Sequence, residues 1–102
     1  MEIKNLEILK EKLMEDKITV VDFYATWCGP CKMLIPVIDE LEKEVSDVNF
    51  LKVNVDDFNE LASQFGVLSV PTLVFIKDGK EVNRTVGFKS KNDLLNILSE
   101  IK

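Results

Sequence analysis

The chain has 102 residues, with 13 basic and 18 acidic side chains for a net charge of −5, no histidine and two cysteines. Such a length fits one domain, residues 1–102, that buries roughly two thirds of its unfolded surface, so neither a disulfide framework nor a structural metal is needed for folding. The scattered basic residues argue against nucleic acid as a partner, and no run approaches the ~18 apolar residues of a membrane span.

The N-terminal Met1-Glu2-Ile3-Lys4-Asn5 lacks the apolar core of a signal peptide, which predicts a cytoplasmic protein. Glu2 to Lys4 reads as a short first strand, and Asn5 as the N-cap of a helix turning Leu6, Leu9, Leu13 and Met14 inward. Ile18 to Tyr24 is nearly all apolar, β-branched or aromatic, the pattern of a central strand covered on both faces. Asp22 stands inside that run, so the pattern predicts a buried carboxylate.

Trp27-Cys28-Gly29-Pro30-Cys31-Lys32 joins this strand to a helix running to about Val45, with Leu34, Ile38, Leu41 and Val45 at helical spacing. Pro36 removes a backbone donor and clashes with the Lys32 carbonyl, so a kink is expected there. Val48 to Val55 is the next strand, with Lys52 embedded among apolar residues. A short helix follows over Asp57 to Phe65, stopped by Gly66. Ser69-Val70-Pro71-Thr72 leads into a strand over Leu73 to Ile76, and Asp78-Gly79 predicts a two-residue hairpin to an edge strand over Glu81 to Val86 that ends at Gly87. Ser90 and Asp93 form a capping pattern for a final helix carrying Leu94, Leu95, Leu98 and Ile101 inward. The order β-α-β-α-β-α-β-β-α predicts an α/β fold with a mixed sheet.

The two cysteines carry the chemistry. Two intervening residues keep their sulfurs within reach of each other at the first turn of a helix, where they can cycle between dithiol and disulfide. A thiolate at Cys28 meets the unpaired N–H groups and positive dipole end of that helix, which lowers its pKa and makes it the nucleophile. Pro30 suits the first turn and stiffens the loop, leaving Cys31 as the resolving thiol. As a structural staple, a ring this small contributes only roughly 2 kcal/mol. Zinc needs four ligands, and with no histidine and no further cysteine only an intermolecular site would remain. Redox chemistry is the reading left for a CxxC pair in a reducing compartment.

Val21-Asp22-Phe23-Tyr24-Ala25-Thr26-Trp27-Cys28-Gly29-Pro30-Cys31-Lys32-Met33 closely resembles the active-site stretch of the thioredoxin family. Val70-Pro71-Thr72, Lys77-Asp78-Gly79, Val86-Gly87 and Pro36 fall where that family has its cis-proline loop, hairpin, groove glycine and helix kink. Glutaredoxins look like Cys-Pro-Tyr-Cys and disulfide isomerases like Cys-Gly-His-Cys, and this chain has neither pattern. Tyr24 stands where the family often has a second tryptophan, and Ser69 at a variable position beside the proline loop.

The resemblance implies a thioredoxin fold with a mixed sheet of about five strands and about four helices. It implies a protein disulfide reductase that serves redox homeostasis, needs no cofactor or metal of its own, acts as a monomer on disulfide-containing proteins and is re-reduced by thioredoxin reductase. It further implies a cis Val70–Pro71 bond and a substrate groove of Trp27, Gly29, Pro30, Val70, Pro71 and Gly87. Asp22 is then the group that accepts the Cys31 proton, with Lys52 near it as its modulator, while Tyr24 and Met33 are expected to serve packing. Two other functions fit the same residues: a binding module whose cysteines are incidental, and a glutathione-coupled oxidoreductase.

Overall fold

The computed structural model describes all residues, Met1–Lys102. Helix α1 is Leu6–Leu13, strand β1 Ile18–Tyr24, helix α2 Gly29–Glu44, strand β2 Val48–Asn54 and helix α3 Asn59–Gln64. Strands β3, Thr72–Lys77, and β4, Lys80–Val86, precede helix α4, Lys91–Ile101. The sheet has four strands in the order β2-β1-β3-β4, with β1 and β2 parallel and the remaining pairs antiparallel.

The expected strand at Glu2 to Lys4 is reduced to one bridge between Glu2 and Lys52. Two backbone bonds hold it, Ile3 N–H donating to the Lys52 carbonyl and Lys52 N–H to the Met1 carbonyl, each at 2.9 Å. The sheet therefore has four strands rather than about five. The segment is too short to extend the ladder before Asn5 caps α1, where the Asn5 Oδ1 accepts the Ile8 N–H.

Strand alternation sends successive side chains to opposite faces, and each face carries its own core. On one face, Ile18, Val20, Phe50, Leu73 and Phe75 pack against Leu34, Ile38 and Leu41 of α2 and Leu94 and Leu98 of α4. On the other, Val21, Phe23, Leu51, Val53 and Val74 pack against Leu9 of α1 and Ala62 of α3. Phe23 meets Phe65 there with ring centroids 5.2 Å apart. Leu6 and Met14 are exposed rather than inward, because an eight-residue helix presents only one narrow stripe and Leu9 occupies its centre.

Helix α2 starts at Gly29, two residues earlier than the apolar spacing indicates, because Cys28 itself is the N-cap. It continues without interruption through Pro36, which sits on the exposed side. Helix α3 is shorter than Asp57 to Phe65, with Phe58 and Phe65 as its caps. Arg84 on the edge strand donates to the Phe65 carbonyl at 2.6 Å, satisfying an acceptor at the end of α3. The hairpin turns through Asp78 and Gly79 with φ of 54° and 76°, the left-handed pair that a two-residue hairpin loop requires. Ser90 Oγ accepts the Asp93 N–H and starts α4. No helix is long and apolar enough to cross a membrane.

Candidate functional site

The cysteines lie at the C-terminal end of β1, where the chain turns into α2. Cys28 and Cys31 are disulfide-bonded with Cα atoms 5.3 Å apart, and both are buried. As N-cap of α2, the Cys28 Sγ accepts the Cys31 N–H at 3.2 Å. One of the four orphan donors of the helix start is thus aimed at the sulfur, an arrangement that favours a negative charge there once the bond is reduced. Pro30 occupies the first turn, where no backbone donor is missed, and Gly29 and Pro30 are both exposed beside the pair.

Val70–Pro71 is a cis peptide bond, and the Val70 carbonyl oxygen lies 3.7 Å from the Cys28 Sγ. Gly87 donates its N–H to the Pro71 carbonyl at 2.8 Å, and its φ of 87° is a conformation that side-chain-bearing residues rarely adopt. The proline loop and the end of β4 are thereby brought to the cysteines from 42 residues away and more. Trp27 is 69% exposed, with its indole N–H on Asp56 Oδ2 at 3.1 Å. A cleft of about 180 Å³ runs from Trp27 past Val55 and Val67 to Leu68 and Val70. Leu68 is 98% exposed at its rim, although nothing in its sequence context distinguishes it from a core leucine.

Asp22 is 3% exposed because it continues the inward stripe of Ile18 and Val20 on the α2 side of β1. Its Oδ1 has no hydrogen-bond partner. Burial pushes its pKa up to about 7, against the pull of the Lys52 charge and with a further upward push from Glu2. A second cavity of about 180 Å³ touches Asp22, Lys52 and Cys31 together, with Ala25, Thr26 and Ile35 in its wall. It is large enough for water to link the carboxyl to the buried thiol.

Lys52 stands opposite Asp22 in the parallel register, and its ammonium lies over the Tyr24 ring, 5.1 Å from the centroid. Tyr24 does more than pack, since its hydroxyl donates to Glu2 Oε2 at 2.8 Å. Burial first, and that bond second, push its pKa up to about 12, so it remains a donor. Met33, also expected in packing, is 60% exposed, because the inward stripe of α2 is Cys31, Leu34, Ile38 and Leu41 and Met33 falls outside it. Sequence reasoning missed Glu2, which lies 22 residues from its partner and carries no local signal of the contact.

The family model described as Thioredoxin matches residues 2–100. The chain is 53% identical to a thioredoxin of Chlamydia caviae over 83 residues, 81% of each protein. It is 44% identical to a thioredoxin of Mycoplasmoides gallisepticum over 96 residues, 94% of this chain and 96% of that one. Among solved structures, thioredoxin from Nicotiana alata superposes with a TM-score of 0.89 at 38% identity, covering 98% of this chain and 90% of that one. With a cysteine pair held at disulfide distance beside an exposed tryptophan, this chain belongs to the thioredoxin family and is a protein-disulfide oxidoreductase working by thiol–disulfide exchange.

Proposed function

We propose that residues 1–102 act as one domain, a cytoplasmic monomer in which Cys28 is the nucleophile, Cys31 the resolving thiol and Asp22 the proton acceptor. The observation that carries this assignment is the Cys31 N–H on the Cys28 sulfur, together with a cavity shared by Cys31 and Asp22. In the reduced protein, Cys28 thiolate attacks one sulfur of a target disulfide, and the other sulfur leaves as a thiolate that takes a proton from water. Cys31 then gives its proton to ionised Asp22, directly or through water, and attacks the Cys28 sulfur. The mixed disulfide breaks, the target's second sulfur leaves as a thiolate that takes a proton from water or from protonated Asp22, and two electrons have passed from the cysteine pair to the target dithiol.

The exposed face of Trp27 and the cleft to Val70 supply an apolar seat for the target chain. The Val70 backbone beside Cys28 offers pairing to an extended segment, while Pro71 and Gly87 shape the floor and Gly29 and Pro30 leave the sulfur approachable. Lys52 modulates Asp22 by its charge. The partners are disulfide-containing proteins and a thioredoxin reductase that returns the pair to the dithiol. Trapping is the test: a Cys31→Ser variant should accumulate mixed disulfides with targets, whereas equal trapping by Cys28→Ser would overturn the roles. A Cys28→Ser, Cys31→Ser double variant that kept its biological activity would point to a binding module instead.

A further inference from the structure

Glu2 lies on the bridge that pairs it with Lys52, so Glu2, Lys52 and Asp22 follow one another across three neighbouring backbone segments, with Lys52 between two carboxylates. Side chains at matched register share a face of the sheet, which puts all three on the α2 side with Tyr24, two residues along β1 from Asp22. Two contacts fix the group: the Tyr24 hydroxyl on Glu2, and the Tyr24 ring under the Lys52 ammonium. Lys52 forms an ion pair with neither Asp22 nor Glu2, so the two carboxylates meet its charge only through space, across the Tyr24 ring and the strand pairing.

We propose that Glu2, anchored by the Tyr24 hydroxyl, is a positioning residue for the exchange reaction: it holds negative charge beside Lys52 and so strengthens the grip of Asp22 on its proton. The inference rests on Asp22 being the proton acceptor proposed above. Glu2 touches neither substrate nor sulfur and acts only through the Lys52–Asp22 field. A neighbouring carboxylate disfavours ionisation of another, and an anion on the far side of Lys52 competes for its charge, so both effects have one sign. The remaining charged or titratable groups around the cavity are Lys32 from α2 and Cys31, while β3 presents uncharged Leu73 opposite Asp22. Asp57 adds a further upward push on the Tyr24 phenol.

The test is a carbon-13 carboxyl titration of Asp22 in the oxidised protein, where the cysteines do not titrate. Glu2→Gln keeps shape and hydrogen bonding but removes the charge, and should lower the Asp22 midpoint by roughly half a unit to one unit. Tyr24→Phe keeps the ring under Lys52 and releases the Glu2 carboxylate, so a smaller shift of the same sign is expected. The double variant should shift no further than Glu2→Gln alone, because both changes act through one contact. In the reduced protein, the pH midpoint for resolving a mixed disulfide should move toward acid by the same amount. An unchanged or raised Asp22 midpoint in Glu2→Gln overturns the inference. An Asp22→Asn protein that resolves mixed disulfides at the wild-type rate would instead overturn the proton-acceptor reading, while the carboxyl titration still decides the role of Glu2.

Discussion

Asp22 and Lys52 face each other at the same register position of two parallel strands, yet the Lys52 ammonium lies on the Tyr24 ring and the Asp22 Oδ1 accepts no hydrogen bond. A carboxyl so placed is costly to ionise, and both stability and rate should register it.

Asp22→Ala should be more stable than wild type at about pH 8, by on the order of 2 kcal/mol. The unfolded carboxyl ionises near 3.8, while burial holds the folded one up to about 7. Between those values the unfolded state has released its proton and the folded state has not, so wild-type stability falls as pH rises and levels off above the folded pKa. Below both pKa values the penalty vanishes, and only the small cavity left by alanine remains. Denaturant unfolding across this pH range checks the crossing, and an alanine variant less stable at pH 8 would show a solvated Asp22.

The rate of mixed-disulfide resolution should rise with pH through about 7, as Asp22 becomes able to accept the Cys31 proton. In Asp22→Asn that rise should disappear and the step should slow by about 10²-fold or more, the low end of a positioned base's contribution. Formation of the mixed disulfide should hardly change. Single-turnover kinetics with a protein disulfide, followed from pH 5 to 9, separates the two steps.

Cys28 should alkylate before Cys31 in the reduced protein. In the oxidised form the two are similarly buried, so access alone does not distinguish them; the backbone donor on the Cys28 sulfur does. Peptide mapping after brief iodoacetamide treatment reads the order, and preferential labelling of Cys31 would reverse it.

Trp27→Ala should lower kcat/KM for protein disulfides by about 10-fold, roughly 1.4 kcal/mol of lost transition-state binding. A small aromatic disulfide that cannot span the cleft to Leu68 and Val70 should lose far less. Because Trp27 is exposed, folding stability should change by no more than about 0.5 kcal/mol. Insulin reduction, small-disulfide reduction and denaturant unfolding measured on the same variant check all three statements.

What the sequence determined by itself lies within a few residues of each signal. The apolar run from Ile18 to Tyr24 made β1, Asn5 and Ser90 capped their helices, Asp78-Gly79 made the hairpin, and Pro30 after Cys28 put the sulfur at a helix start. Asp22 was legible as buried for the same reason, since it stands inside an apolar run of a strand covered on both faces, where either side of the sheet is core. Local geometry is short-ranged and repeats, so a pattern of side chains is enough to specify it. The tertiary structure decided what distant segments do to one another. It seated the Val70 carbonyl on Cys28 and tied Gly87 to Pro71, it trimmed the N-terminal strand to a single bridge, and it turned Leu6 and Met14 outward. It also bound Tyr24 to Glu2 and laid Lys52 on the ring between them. Those contacts depend on where chain closure leaves each surface, and no residue spacing encodes that.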